Sequence, residues 1–322
     1  MTIDINLEGV LEARERIKKH VIRTPLLRIP ALDSILNCQV YLKPENLQHT
    51  GSFKLRGAFN SLLALSDEEK ECGVVCSSSG NHAQGIAWAA KELGISAKIV
   101  MPENCNPVKL NNVQSFGAEV LLIGTVSSVR DKAVKEIVEN EGRTEIHPYA
   151  NKFVKEGQGT IALEIFEDEP DIDMIVAPIG GGGLISGVSV AAKSLKPEVK
   201  VIGIEPSGAS RYSKSLSANK PIKLDKTDTI ADGTRTDQAD LNNFEIIREY
   251  VDEVNSVDDD EIKEAIRLMV KKGKMVIEPS SAMVIAAFMR KNNGATKEKK
   301  VCYVLSGGNN DIEFLANLLI GK

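Results

Sequence analysis

The sequence predicts an α/β protein of two domains, each a mostly parallel sheet flanked by helices, and three observations carry that prediction. Short apolar runs of strand length alternate along the chain with segments whose apolar residues recur at helical spacing, the pattern of βαβ units and hence of parallel sheets. With 322 residues, 42% of them hydrophobic, the chain can bury one large core or two modest ones. The strands are too many for one tidy sheet in that length. Breaks near Gln48 and near His147-Pro148 therefore divide it into a large discontinuous domain, residues 1–48 and 147–322, and a small domain, residues 49–146.

Taken in order, a charged amphipathic helix covers 7–21 and ends at the Arg23-Thr24-Pro25 turn. A short strand at 40–43 leads into Thr50-Gly51-Ser52-Phe53-Lys54. Leu55, Ala58, Phe59, Leu62 and Leu63 then mark one face of a helix, with Ser52 as its natural N-cap. Lys54 falls in the first turn, where the positive end of the helix dipole disfavours an ammonium and favours the neutral, nucleophilic amine. Strands at 74–77, 97–101 and 119–123 alternate with helices at 82–93, 107–116 and 126–140. Helix 156–166, strand 174–178, helix 184–195 and strand 200–204 follow, and the chain closes with strand 251–254, helices 259–271 and 279–288, strand 301–305 and helix 312–319. The first block is expected to return and join the C-terminal half.

Composition excludes several classes of function. A formal net charge of -5 with mixed lysines and glutamates argues against a nucleic-acid or membrane-surface partner, both of which need a basic face. Cys38, Cys72, Cys76, Cys105 and Cys302 are odd in number and lack a C-x-x-C pair, so neither a disulfide framework nor a zinc site is indicated, and a reducing cytoplasm fits. The N-terminal Met-Thr-Ile-Asp-Ile-Asn does not read as a signal peptide, and no run is apolar enough for a membrane span. His20, His49, His82 and His147 show no ligand spacing for a catalytic metal.

Three loops between a strand and a helix call for a ligand. Ser77-Ser78-Ser79-Gly80-Asn81-His82 gathers hydroxyls and backbone N–H groups at a helix N-terminus, a cradle for an anion where one serine would already suffice as a cap. Gly180-Gly181-Gly182-Gly183 is costly in backbone entropy, so something needs the close backbone approach, and phosphate is the usual reason. No lysine follows these glycines as a P-loop requires, and the dinucleotide pattern G-x-G-x-x-G fails at its last position, Ile185 or Ser186. Glu205 stands near where a ribose-binding acid belongs, which keeps a nicotinamide oxidoreductase as a minor alternative. The third loop, Leu305-Ser306-Gly307-Gly308-Asn309, lies at the carboxyl end of a strand, where parallel sheets bind ligands.

In this order the motifs resemble the fold-type-II pyridoxal-phosphate enzymes, and within them the threonine/serine dehydratase and serine racemase group. The resemblance runs from Arg23-Thr24-Pro25-Leu26 through Ser52-Phe53-Lys54-x-Arg56-Gly57, Ser78 to Gly85 and Gly157 to Ala162, to Ile277-Glu278-Pro279 and Ser306 to Asn309. It implies the two-domain, tryptophan synthase β-like fold with pyridoxal 5'-phosphate held between the domains, mainly by the large one, and the substrate by the small one. Lys54 matches the lysine that carries the cofactor and moves the Cα proton; Phe53 flanks the pyridine ring. Asn81 matches the partner of the phenolic oxygen, Gly180, Gly181, Gly182 and Gly183 the phosphate loop, and Ser306 the partner of the pyridine nitrogen. Glu278 belongs with the cofactor-binding set. Ser78, Ser79 and His82 match the substrate cradle, with Ser79 at the position of the second base in racemases. Arg130 lies where racemase-like members place a substrate-facing arginine, or it is an ordinary exposed helix arginine.

Some members of the group also carry a divalent cation beside the phosphate loop. Glu205 and the Ala209 carbonyl match two of its ligands, but the third position is Arg211, whose guanidinium cannot ligate a cation and is expected to pair with Glu205. No metal is therefore expected. The activity implied is elimination of water from L-threonine or L-serine, giving a 2-oxo acid and ammonia, with serine racemase side activity. The alternatives are a serine racemase or hydroxyaspartate dehydratase as main activity, or a scaffold that binds the cofactor without catalysis. The chain ends one helix beyond Ser306, as expected of short catabolic-type members without a regulatory domain, and the group implies a homodimer.

Overall fold

In the computed structural model, described for residues 3–105, 107–290 and 296–321, the strands form two sheets. They are β1 (Leu27–Arg28), β2 (Gln39–Pro44), β3 (Val74–Ser77), β4 (Ala97–Met101), β5 (Glu119–Leu122), β6 (Thr144–Glu145), β7 (Met174–Pro178), β8 (Lys200–Pro206), β9 (Glu253–Val257) and β10 (Lys300–Leu305). The larger sheet has the order β1-β2-β10-β7-β8-β9 and the smaller β5-β4-β3-β6. Every pairing is parallel except β1 with β2. The early strand β2 runs beside the last, with Val301 opposite Val40 and, on its other side, opposite Met174. All five residues of β7 are buried, which is why it reads as an unbroken apolar run.

Each sheet has its own core. Leu42, Val176, Ile204, Ile285 and Tyr303 pack on one face of the larger sheet, while Ile175, Ile185, Val201 and Val304 pack on the other. Leu55, Phe59, Cys76, Ile86 and Ile99 form the core of the smaller. Three helices, Lys54–Leu63, Lys152–Asp168 and Gly183–Leu195, cross between the two through glycines. A Cβ on Gly157 would stand 2.7 Å from the Gly57 Cα, and one on Gly187 only 2.1 Å from the Lys155 carbonyl oxygen, so the backbones themselves are in contact.

Beneath the Lys54 helix lies a buried group of two cations and two anions, all closely paired. Arg56 donates to both oxygens of Glu45 at 2.7 and 2.8 Å, to both of Glu164 at 2.7 and 2.8 Å, and to Thr160 at 3.1 Å, which uses its five N–H groups. Lys43 donates to Glu164 at 2.5 Å and to the Thr24 carbonyl at 2.6 Å.

Several boundaries differ from the sequence reading. The first helix stops at Ile17, because Val10, Ala13 and Ile17 complete its buried face and the His20 and Val21 N–H groups fold back onto the Ile17 carbonyl. Ser52 is not the N-cap of the lysine helix. That helix begins at Lys54 after Phe53 without a side-chain cap, and Ser52 instead forms a bridge with Gly307, its hydroxyl buried without a partner. The strand expected at 251–254 is Glu253–Val257, since the Val251 N–H still caps the preceding helix Leu241–Tyr250. Helices Asp67–Cys72, Arg211–Ala218 and Leu241–Tyr250 were not read from the sequence.

Candidate active site

The carboxyl ends of β3, β7 and β10 deliver their loops to one cleft of about 1330 Å³, lined from both sheets. Lys54, Asn81, Gly180 to Gly183, Glu278 and Ser306 all border it, as do Phe53, Ser78, Ser79, His82 and Arg130. Topology thus brings together residues spread over most of the chain.

The Lys54 amine donates to the Pro148 carbonyl at 2.6 Å and lies 5.1 Å from the centre of the Phe53 ring. Loss of hydration in the cleft wall lowers its pKa to about 8, so burial is the cause to which the neutral bias is owed. The Cys76 thiol beside it is pushed far up by burial and is no competing nucleophile. Asn81 opens helix Asn81–Leu93, and its amide is fixed on both sides. The nitrogen donates to the Glu278 carboxylate at 2.9 and 3.1 Å, and the oxygen accepts from Asn309 at 2.8 Å. Burial raises the Glu278 carboxyl to about 7 against the opposing pull of the Asn81 hydrogen bond.

His82 Nε2 donates to the Ile146 carbonyl at 2.8 Å, which leaves Nδ1 as a bare acceptor, buried and without a partner among the described residues. Burial brings the ring down to about 3, so it stays neutral. Ser78 turns its hydroxyl back to accept the Gly80 N–H at 3.3 Å, while Ser79 faces the same cleft. Arg130 is not a freely solvated helix arginine. Its Nε and Nη1 are buried and have no partner among the described residues, and its pKa is lowered by desolvation.

The tetraglycine segment opens helix Gly183–Leu195, and no side chain caps that terminus. Gly182 has φ +93°, and a Cβ there would meet the Tyr212 hydroxyl at 2.6 Å; one on Gly181 would lie 2.1 Å from the Tyr149 ring. The loop carbonyls are held from behind: Arg211 takes that of Gly180, while Tyr212 Oη at 2.8 Å and Asn243 Nδ2 at 2.9 Å take that of Gly181. In a trans peptide the next N–H points the opposite way, so the Gly181 and Gly182 N–H groups are turned from these partners. The result is an anion site of N–H groups at a helix start.

Glu205 does not pair with Arg211 as expected, nor does it face the cleft. Its oxygens are spent on the Tyr212 and Ser213 N–H groups, both at 2.9 Å, and on the Ser213 hydroxyl, so it caps helix Arg211–Ala218. This removes the acid from the ribose position of a nicotinamide site. Among the described residues no cluster of three or more His, Cys, Asp or Glu side chains has the arrangement to hold a metal. Tyr149, Tyr212 and Asn243, which hold the glycine loop, escaped the sequence reading because they act on backbone and carry no motif. Lys109 and Asp232, which pair across the cleft mouth, escaped it because they are far apart in sequence.

These residues fit pyridoxal phosphate. An amine of lowered pKa and an uncapped helix start share the cleft with the buried Ser306 and with polar atoms that lack partners, His82 Nδ1, Thr236 Oγ1 and Ser280 Oγ. A family model described as "Pyridoxal-phosphate dependent enzyme" matches residues 17–307. An L-threonine ammonia-lyase of Thermotoga maritima is 42% identical over 98% of this chain and 78% of its own length. An L-threo-3-hydroxyaspartate ammonia-lyase of Saccharomyces cerevisiae is 38% identical, covering 97% of this chain and 96% of that protein. The solved structure of maize serine racemase superimposes with a TM-score of 0.94 at 37% identity, over 99% of this chain and 98% of that one.

Proposed function

The chain belongs to the pyridoxal-phosphate dependent enzyme family, in its ammonia-lyase and racemase group, and from that premise we propose that it is a threonine/serine ammonia-lyase with serine racemase side activity. The observation that carries the reading is the Lys54 amine, lowered in pKa to about 8 by burial, in the same cleft as an uncapped tetraglycine helix start. Bound through Lys54, pyridoxal phosphate supplies a sink for the electron pair left at Cα.

Everything else falls to the chain. The Gly180 to Gly183 N–H groups would hold the phosphate, Ser306 would meet the pyridine nitrogen, and Phe53 would flank the ring. Asn81, braced by Glu278 and Asn309, would be the partner of the phenolic oxygen. Ser78 and the helix start behind it take the substrate carboxylate, and neutral His82 stays an acceptor beside them. Lys54 removes the Cα proton, the β-hydroxyl leaves as water with a proton from a nearby acid that the proton on Lys54 restores, and the released enamine adds a water to give a 2-oxo acid and ammonia. Ser79 supplies the second proton position that racemisation needs. The small unit 49–146 is read as the substrate side, and 1–48 with 147–322 as the cofactor side.

A second reading, a main activity on 3-hydroxyaspartate, is favoured by Arg130, whose two unpaired nitrogens suit a second carboxylate. A homodimer is supported by the last helix, where Ile312 is 80% and Ile320 65% exposed. The free cysteines accord with a reducing cytoplasm.

The test is a spectrum and a product assay. Purified protein should show the yellow absorbance of a lysine-bound cofactor and form 2-oxo acid from L-threonine and L-serine; Lys54→Ala should lose both while keeping its fold. Wild-type turnover in that variant, or colourless inactive protein, refutes the reading. Higher kcat/KM on hydroxyaspartate, abolished by Arg130→Ala, would give the second reading first place.

A further inference from the structure

Arg211 is fully buried, yet among the described residues it makes no salt bridge, and the Glu205 carboxylate acts on it only through its field. Its guanidinium donates instead to backbone carbonyls of three separate segments: Ala209 at 2.9 Å, Thr234 at 3.1 Å, and the Ile179-Gly180 turn, at 3.5 Å for Ile179 and more closely for Gly180. Carbonyl oxygens brought together in this way repel one another and demand a positive charge in their midst. Here the charge is covalently attached. Arg211 is the first residue of helix Arg211–Ala218, and Glu205 fixes that start by accepting the next two N–H groups. The acid therefore aims the arginine without touching it.

We propose that Arg211 is a built-in cation that positions the phosphate loop, taking the place and the work of a divalent ion. The inference rests on the cofactor-site reading above and deepens it. The donor set around Glu205 and the Ala209 carbonyl does not fit a metal, because a guanidinium occupies it and repels a second cation. By holding the Gly180 carbonyl to the rear, Arg211 keeps the Gly181 N–H turned toward the anion site; Tyr212 and Asn243 do the same for the next peptide. Arg211 is thus a positioning residue whose influence is confined to the phosphate end of the cofactor.

That confinement separates it from a merely structural role. The full-length protein is stripped of cofactor and titrated with pyridoxal phosphate and with pyridoxal, which lacks the phosphate. Arg211→Met should weaken pyridoxal phosphate binding by roughly ten- to a hundredfold, the scale on which outer partners of a binding site act, and leave pyridoxal binding unchanged. Arg211→Lys, which keeps charge but loses the planar fork, should fall between and serves if the methionine variant does not fold. Wild-type affinity and thermal midpoint should be the same in EDTA and in magnesium. Equal loss for both ligands, no loss for either, or a wild-type response to magnesium overturns the proposal. Wild-type protein that bound neither ligand would refute the site reading itself, and the role of Arg211 with it.

Discussion

Ser79, His82 and Glu278 carry the predictions that belong to single residues. In the proposed reaction Lys54 would handle the Cα proton from one side of the substrate, and interconversion of serine enantiomers needs a second proton position on the other. Ser79→Ala should therefore stop D-serine appearing from L-serine, followed by chiral chromatography, while most 2-oxo acid formation persists; unchanged racemisation would remove Ser79 from the mechanism. His82 and Glu278 give opposite pH signatures. His82 falls from 6.5 to about 3 on folding, so only the unfolded chain takes up its proton in that window and stability is lost as pH falls through it. Glu278 rises from 4.5 to about 7, so only the folded chain keeps its proton there and stability is lost as pH rises from 4.5 to 7. Glu278→Gln should flatten that second decline in thermal midpoints measured across the range. A wild-type slope would place the titration elsewhere. Lys54 was legible in the sequence from helical spacing and motif. The main cause of its lowered pKa was not, because desolvation depends on walls supplied by residues distant in the chain.

At the scale of elements, the glycine loop and the buried ionic group set the demands. Gly182→Ala would place a side chain at φ +93° and against Tyr212, so a destabilisation above ~1 kcal/mol is expected, with cofactor affinity falling alongside. Arg56→Met would leave Glu45 in the interior without its paired cation, Glu164 keeping Lys43, and should cost about 3–5 kcal/mol, read as the shift in urea midpoint. A neutral result would mean that water reaches the pair. Strands such as β3, β4 and β7 were legible as apolar runs between turns. The helix Leu241–Tyr250 was not, since its buried residues Asn243, Phe244, Ile246 and Ile247 include a polar side chain working on the glycine loop. Ser52 misled for the same kind of reason. A serine before a helical run is usually a cap, but here the chain at Ser52 is taken into a bridge with Gly307.

For the whole molecule, the contact between Lys109 and Asp232 joins the two walls of the cleft at its mouth. Both side chains are partly exposed, so the pair is worth at most about 1 kcal/mol and can open and close readily. Asp232→Asn should speed ligand release and weaken its dependence on ionic strength in stopped-flow traces, with little change in thermal midpoint; release as slow and as salt-sensitive as in wild type would show that the bridge does not govern access. Such a pairing was beyond periodicity because nothing local encodes it, whereas the return of the first block to the C-terminal half, seen in β2 beside β10, was expected. The glycine crossings of the three central helices have a further consequence. Because backbone rests on backbone at Gly57, Gly157 and Gly187, the span from Lys54 to the tetraglycine loop is set by covalent geometry, as in a machinist's gauge. Side-chain drift during evolution can recolour the cleft and change what enters it, but it has no lever on the length of the molecule that the gauge accepts.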